Sequence, residues 1–230
     1  KYNKKLFIST KIDNLTAHNK SIIQKMRESV LRSIENLGVD FIDLCYLHQN
    51  ELSIISDKYI LEGIEQLKYE RLIDKAGVSI YDTNELDFAL KYSNFDWVQI
   101  PVNILDTSFY SRIVKSNSTI KIAARSIFLQ GIMFNNNATK KHIPDADRAL
   151  ELLECIKLLG YQYNLKLIDI AVAYVYSLQS IDQVLIGTTS ITNLEKVKEA
   201  SKILLGENIK NMIDEISIIN KIWTNPRMWT

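Results

Sequence analysis

The sequence predicts an α/β fold in which parallel strands are covered by helices. Short apolar segments of strand length alternate six times with segments whose apolar residues recur every three or four positions. Such alternation is typical of either a doubly wound open sheet or a closed eight-stranded barrel. The chain contains neither the Gly-x-Gly-x-x-Gly nor the Gly-x-x-x-x-Gly-Lys loop of the common nucleotide-binding open sheets. A (β/α)8 barrel is therefore favoured, although six strand–helix units are too few to close it.

The first two units have the clearest periodicity. A short apolar strand is predicted to end at Lys11, and the following amphipathic helix is predicted to end at Gly38, a residue that readily adopts a left-handed conformation. A second strand is predicted over residues 41–47, and His48 directly follows it. The helix after it carries apolar residues at helical spacing as far as Leu72.

The next two units are marked by a helix-start signal. A strand is predicted over 75–79, and the spacing Asp82-x-x-Glu85 predicts a capping box at the start of the following helix. A further strand is predicted over 97–100, followed by a short helical stretch near 109–115.

The remainder of the chain continues the alternation. In order, we expect a strand over 120–124, a loop over 131–144, two helices between 145 and 177, and a strand over 183–186. Thr192, with Glu195 three residues later, predicts a helix start. Apolar residues from Ile209 to Trp223 predict one long amphipathic C-terminal helix. No Pro/Gly/Ser-rich linker interrupts the pattern, so residues 1–230 are predicted to form a single domain.

The composition argues against nucleic acid and membranes as partners. Of the 230 residues 47% are hydrophobic, and 28 Lys and Arg balance 27 Asp and Glu. This balance gives no reason to expect nucleic acid or an anionic membrane as a partner. The longest apolar stretch, 170–178, is too short to span a membrane, and we expect neither a transmembrane helix nor a signal peptide. Cys45 and Cys155 form no metal-binding or disulfide pattern. We expect a cytoplasmic protein without a metal, monomeric or weakly homo-oligomeric.

Every predicted strand finishes in a side chain that can form hydrogen bonds. The strand ends carry Lys11, His48, Ser79, Gln99 with Asn103, Arg125 with Ser126, and the segment Gly187-Thr188-Thr189. Singly, each has a structural explanation as a solvated lysine, a hydrogen-bonded core histidine or a helix cap. Because the chemistry of such barrels lies at the C-terminal strand ends, the set as a whole predicts one functional site there.

Several of these residues also lie in segments that resemble the aldo-keto reductase superfamily in order and spacing. The segments are 7–11, 29–48, 77–79, 99–103 and 186–190, and the one that ends at His48 is the most specific. Residues 125–131 further resemble a bacterial branch associated with sugar and surface-polysaccharide metabolism. The resemblance implies a (β/α)8 TIM barrel.

The resemblance implies reduction of aldehydes and ketones with NADPH, in which a tyrosine hydroxyl protonates the oxygen that receives charge. Lys11 matches the lysine that lowers the pKa of that tyrosine. His48 matches the histidine that orients the carbonyl and stabilises its oxygen.

The resemblance also implies a set of cofactor-binding residues. Ser79 and Gln99 match residues that bind the nicotinamide carboxamide, and Arg125 stands where a tyrosine commonly stacks on the nicotinamide ring. The positions on the phosphate side are Ser126, Phe128, Gly187, Thr188, Thr189 and Asn193.

Three departures from the family pattern stand out. Ile80 replaces an asparagine that usually binds the carboxamide, and Asn193 occupies the position of an arginine for the adenosine 2′-phosphate, so the support for NADPH over NADH is weak. The family's first two strand–helix units, about 60 residues, have no counterpart. Those units carry the catalytic aspartate and the tyrosine, so neither is expected in this chain.

Three functions follow as hypotheses. The first is an NADPH-dependent reductase of aldehydes or ketones, including sugar-derived ones. The second is a catalytically inactive, cofactor-binding regulatory or scaffold member of the same superfamily. The third, an isomerase or aldolase with Lys11 as a Schiff-base nucleophile, leaves Gln99 and the Gly187 loop without a role.

Overall fold

Helices and parallel strands alternate along the chain, which confirms the α/β fold class. The computed structural model describes residues 6–13, 15, 19–48, 51–92, 94–134, 141–217, 221–225 and 228–229. Within these ranges the strands are β1 (Ser9–Ile12), β2 (Ile42–Leu47), β3 (Ile73–Ser79), β4 (Trp97–Pro101), β5 (Lys121–Arg125) and β6 (Gln183–Val184).

The described helices connect these strands. They are α1 (Ser21–Leu37), α2 (Leu52–Ile55), α3 (Lys58–Tyr69), α4 (Thr83–Lys91), α5 (Ser108–Lys115), α6 (Ala146–Gln162), α7 (Leu167–Ser177), α8 (Ile191–Ala200), α9 (Glu207–Ile216) and α10 (Lys221–Thr224). A 3-10 helix spans Leu129–Phe134. None of the helices within the described ranges is long and apolar enough to cross a membrane.

The chain divides into two compact units. The first unit comprises Lys1–Gln99 and Ser118–Lys121, and the second comprises Ile100–Asn117 and Ile122–Thr230.

In the first unit, strands β1 to β4 lie side by side in chain order and pair in parallel. Lys11 pairs with Tyr46, Tyr46 with Gly77, and Gly77 with Trp97. Because paired residues of parallel strands project from the same face of a sheet, these positions form one layer. Gly77 is required here, since a Cβ at this position would lie 2.7 Å from the Tyr46 ring.

Helices α1 and α3 contribute the apolar face that covers these strands. Met26 and Val30 of α1 and Ile64 of α3 are buried, and Gly63 leaves the space that the Met26 sulfur occupies. Burial of this kind supplies most of the stability of such a unit. The predicted end of α1 is confirmed, because Gly38 adopts φ +64° and its N–H bonds back to the helix.

The helix starts of the first unit agree in part with the sequence. The predicted capping box is present: Asp82 accepts from the amide of Asn84, and Glu85 accepts from the amide of Asp82. The prediction that α3 extends to Leu72 is wrong, because the helix ends at Tyr69 and Arg71 adopts φ +58°. Helix α2 was not predicted.

In the second unit, β5 pairs in parallel with β6 through Ala123 and Ala124. The amide of Val102 also donates to the carbonyl of Arg125 over 3.0 Å. The two helices predicted between 145 and 177 are confirmed as α6 and α7, and α7 is buried over 170–175.

Three sequence expectations for the second unit need correction. Strand β6 is shorter than predicted and ends at Val184. Helix α8 starts at Ile191, because Ser190 rather than Thr192 caps it. The prediction of a single C-terminal helix is wrong, since α9 ends at Ile216 and Ser217 has an extended backbone. Of the predicted loop over 131–144, residues 135–140 lie outside the described residues, as does Ile219 of the predicted C-terminal helix.

Candidate active site and cofactor cavity

The first unit brings three of the predicted residues into one hydrogen-bonded cluster. Lys11 Nζ donates to Gln99 Oε1 over 2.9 Å, and Ser79 Oγ lies 3.4 Å from the same oxygen. Ser79 is 1% exposed and Gln99 2%, whereas Lys11 is exposed. With Oε1 accepting from both partners, the Gln99 amide can present its Nε2 donors to a bound ligand.

The strand register explains why these residues meet. Ser79, the last residue of β3, pairs with Gln99, the middle residue of β4. Lys11 lies near the end of β1, in the layer of Gly77, and its long side chain reaches Gln99. Below the cluster, β2 and β4 are largely buried, whereas β1 and β3 also carry polar residues.

His48 follows β2, and its amide donates to the carbonyl of Ile12 over 3.0 Å, which continues the strand pairing. Its Nδ1 is hydrogen-bonded to Asp13 Oδ1. The side chains of His48 and Asp13 are 45% and 55% exposed. The sequence interpretation missed Asp13, although its position two residues after Lys11 places it on the same side of β1.

Sequence reasoning grouped Asn103 with Gln99, and in the structure the side-chain oxygen of Asn103 is used in a turn. Asn103 is fully buried, and its Oδ1 accepts from the amide of Leu105 over 2.9 Å. The backbones of Asn103 and Asp106 also exchange hydrogen bonds of 3.1 Å. These contacts close a turn after β4.

In the second unit, Arg125 ends β5 and is 9% exposed. Its Nη1 donates to Ser126 Oγ over 3.3 Å. Ser126 and Leu129 adopt φ of +60° and +51°, and the Leu129 amide donates to the Ser126 carbonyl over 2.9 Å. Left-handed backbone at two residues that are not glycine is costly, and such strain concentrates at functional sites.

A cavity of about 750 Å³ lies in the second unit. Four of the predicted cofactor residues line it: Phe128, Gly187, Thr188 and Asn193. Its charged lining residues are Lys166, Lys196, Asp169, Glu195 and Glu199. The rings of Phe128 and Phe134 lie 5.4 Å apart at 53° and form part of its apolar wall.

The start of α8 lies at this cavity. Ser190 Oγ accepts from the Asn193 amide over 3.3 Å, and Thr188 Oγ1 accepts from the Ser190 amide over 3.1 Å. The backbone amides of a helix's first turn attract anions. Thr189 is exposed between these two capping residues.

Each unit, taken by itself, carries hydrogen-bonding groups that suit part of a nicotinamide cofactor. Gln99 and Ser79 are buried hydrogen-bonding partners for a carboxamide, and the α8 start is a partner for phosphate. In the described parts of the chain, no three His, Cys, Asp or Glu residues are grouped to hold a metal ion.

The chain resembles known proteins over most of its length. The model of the Aldo/keto reductase family matches residues 1–218. An NADH-specific methylglyoxal reductase of Escherichia coli (strain K12) is 21% identical over 213 residues. The match covers 84% of this chain but 64% of that enzyme, so the chain spans less than two thirds of its length.

Solved structures agree in fold. The holo form of the aldo-keto reductase AKR11C1 from Bacillus halodurans superposes with a TM-score of 0.74 at 22% identity, over 93% of this chain and 72% of that one. The glycerol dehydrogenase AKR11B4 from Gluconobacter oxydans gives 0.69 at 18% identity, over 87% and 64%. Since the family model spans nearly the whole sequence, the chain belongs to the Aldo/keto reductase family.

Proposed function

We propose that the protein reduces an aldehyde or ketone, sugar-derived compounds among them, to the alcohol with a nicotinamide cofactor. The observation that carries this proposal is the cluster of Lys11, Ser79 and Gln99. The ammonium of Lys11 and the hydroxyl of Ser79 share the side-chain oxygen of the buried Gln99, near the C-terminal ends of parallel strands. Strand ends of this kind are where barrel enzymes place their chemistry.

Each residue of the first unit has a role in this reaction. A bound nicotinamide supplies the hydride that reduces the carbonyl carbon. Ser79 and the Gln99 Nε2 group would bind the carboxamide and fix the face of the ring. His48 would orient the carbonyl and stabilise its oxygen as negative charge develops. Lys11 would lower the pKa of a tyrosine hydroxyl that protonates this oxygen. No tyrosine among the described residues is assigned that role, so the proton donor of the reaction is not one of the residues named here.

Cofactor contacts are also proposed within the second unit, taken by itself. The Gly187–Thr189 loop and the α8 amides suit phosphate oxygens, because a helix start carries partial positive charge. Ser126 and Phe128 would contact the pyrophosphate, and the guanidinium of Arg125 would stack on the nicotinamide. A guanidinium repels the oxidised, positively charged ring, so this contact favours the reduced cofactor.

We propose NADP(H) as the cofactor, since Lys166 and Lys196 place positive charge on the cavity wall. Two observations favour NADH as the second candidate: Asn193 stands where an arginine would bind the 2′-phosphate, and three carboxylates also line the cavity.

Further proposals concern the whole protein. We infer a single domain of the (β/α)8 TIM barrel type, on the strength of the fold likeness to the B. halodurans enzyme. We also propose a cytoplasmic location, and a monomer or weak homo-oligomer with a small carbonyl compound as its partner.

Titration of the protein with NADPH and with NADH, followed by nicotinamide fluorescence, tests the cofactor. A panel of aldehydes and ketones then tests the reaction. We expect saturable binding and consumption of the reduced cofactor with at least one carbonyl compound. Absence of binding at millimolar cofactor would contradict the proposal, whereas binding without turnover over a broad panel would favour the regulatory, inactive role.

A further inference from the structure

We propose that Asp13 is a positioning residue for His48. It binds one nitrogen of the imidazole ring so that the other nitrogen is directed to the substrate carbonyl. The inference rests on the proposed carbonyl reduction and adds to it a residue that sequence reasoning did not assign.

The backbone places the two side chains at adjacent strand ends. Ile12, the last residue of β1, pairs with Leu47, the last residue of β2. Asp13 and His48 are the next residues on each strand, and the bond from the His48 amide to the Ile12 carbonyl extends the pairing to them. Their side chains therefore start side by side, and Nδ1 of the ring meets Oδ1 of the carboxylate.

The chemistry of the pair decides which nitrogen carries the hydrogen. An ionised carboxylate only accepts hydrogen bonds, so the ring nitrogen that it binds must be a donor. Nδ1 therefore carries a hydrogen, and Nε2 is the nitrogen that remains for the substrate. In the doubly protonated ring, Nε2–H donates to the carbonyl oxygen and stabilises its developing charge.

A purely stabilising role explains the pair poorly. The two side chains are 45% and 55% exposed, and exposed ion pairs add little to stability. The position of the pair points to the reaction, because Asp13 lies two residues beyond Lys11 on the same side of β1.

The test compares Asp13→Asn, Asp13→Glu and a control, Asp40→Asn. Asp40 is an exposed carboxylate just before β2, at the opposite end of that strand from His48. Two quantities are measured for each protein: the hydrogen occupancy of the His48 ring nitrogens by ¹⁵N NMR, assigned through a His48→Asn variant, and kcat/KM for carbonyl reduction.

We expect Asp13→Asn to lower the Nδ1–H occupancy and to reduce kcat/KM about 10²-fold, since a misplaced catalytic group costs roughly that factor. The Kd of the reduced cofactor should stay unchanged. Asp13→Glu restores a carboxylate and should recover part of both losses, and Asp40→Asn should match the wild type.

An unchanged His48 hydrogen occupancy in Asp13→Asn would overturn the proposal, and so would a loss of activity without any change at the ring. If the wild-type protein reduces no carbonyl compound, the proposed function fails. The NMR comparison still decides in that case whether Asp13 sets the state of His48.

Discussion

The ammonium of Lys11 donates to the side-chain oxygen of Gln99 over 2.9 Å. Lys11 is 88 positions from Gln99 in the chain, and Ser79 lies beside the same oxygen. One acceptor thus joins the residue expected to tune proton transfer to the residue expected to bind the cofactor amide. Lys11 and Gln99 consequently form a single preorganised group, with the buried amide holding the exposed cation in place.

Replacement of Lys11 by methionine removes the charge and keeps most of the side-chain length. We expect kcat for carbonyl reduction to fall about 10²–10⁴-fold, the range associated with loss of an assisted proton transfer. Steady-state kinetics measures this effect, and cofactor binding followed by fluorescence should change far less. Lys25→Met, on the exposed face of α1, is the matched control. Equal activity of the two variants would show that Lys11 has no role in carbonyl reduction.

Lys196 offers a test of cofactor selection. This lysine lines the cavity of the second unit, whereas Lys198 on the same helix does not line it. Lys196→Glu should raise the Kd for NADPH about tenfold relative to that for NADH, which corresponds to about 1.4 kcal/mol of lost attraction for the extra phosphate. Lys198→Glu should leave the ratio of the two Kd values near that of the wild type. A uniform effect on both cofactors would place the 2′-phosphate elsewhere.

Substitution of Gly77 tests the packing of the strands below the cluster of Lys11, Ser79 and Gln99. A Cβ at this position would lie 2.7 Å from the Tyr46 ring and 2.8 Å from the backbone oxygen of Trp97. Gly77→Ala should lower the free energy of unfolding by about 1–3 kcal/mol, as overpacking does in other cores. Urea denaturation gives this value, with Gly206→Ala as control because no atom lies within 4 Å of its added Cβ. Similar stability of both variants would mean that β2 and β3 are packed more loosely than described.

Cys45 predicts a pH dependence of stability. Burial raises the pKa of its thiol from the ordinary 9.0 to about 12. Between these pH values the unfolded chain has lost the thiol proton while the folded chain retains it, so stability falls as pH rises, by about 1.4 kcal/mol per pH unit. Denaturant midpoints below pH 9 and between pH 9 and 12 should show a shallower decline for Cys45→Ala than for the wild type. The exposed Cys155 provides the control, since Cys155→Ala should keep the wild-type slope.

Local sequence signals predicted the fold best where they involve neighbouring residues. The Asp82 and Glu85 capping box and the Gly38 helix end depend on contacts within one turn, and both are present. The C-terminal helix was predicted as continuous because its apolar spacing continues past Ile216. The helix nevertheless ends at Ile216, where the Ser217 hydroxyl lies within hydrogen-bond distance of the carbonyls of both Ile213 and the distant Ile104. Periodicity cannot detect such a contact.

The sequence predicted residues of the candidate site but not all of the hydrogen bonds between them. Strand ends and the family resemblance indicated Lys11, Ser79 and Gln99, and the structure joins them. The bond between His48 and Asp13 was missed, because it depends on the register of β1 against β2. A one-residue shift in that register would turn Asp13 to the other face, and no single-strand pattern fixes it.

Transfer of deuterium from a reduced cofactor labelled at the hydride-donating carbon tests the central claim most directly. The protein is incubated with labelled NADPH, or with NADH if that cofactor binds more tightly, and with an aldehyde that it consumes. Mass spectrometry then locates the label. We predict that the alcohol product carries one deuterium on the former carbonyl carbon, and that Lys11→Met forms the same product more slowly. Recovery of the label in the cofactor, with no labelled alcohol from any carbonyl compound, would contradict the account.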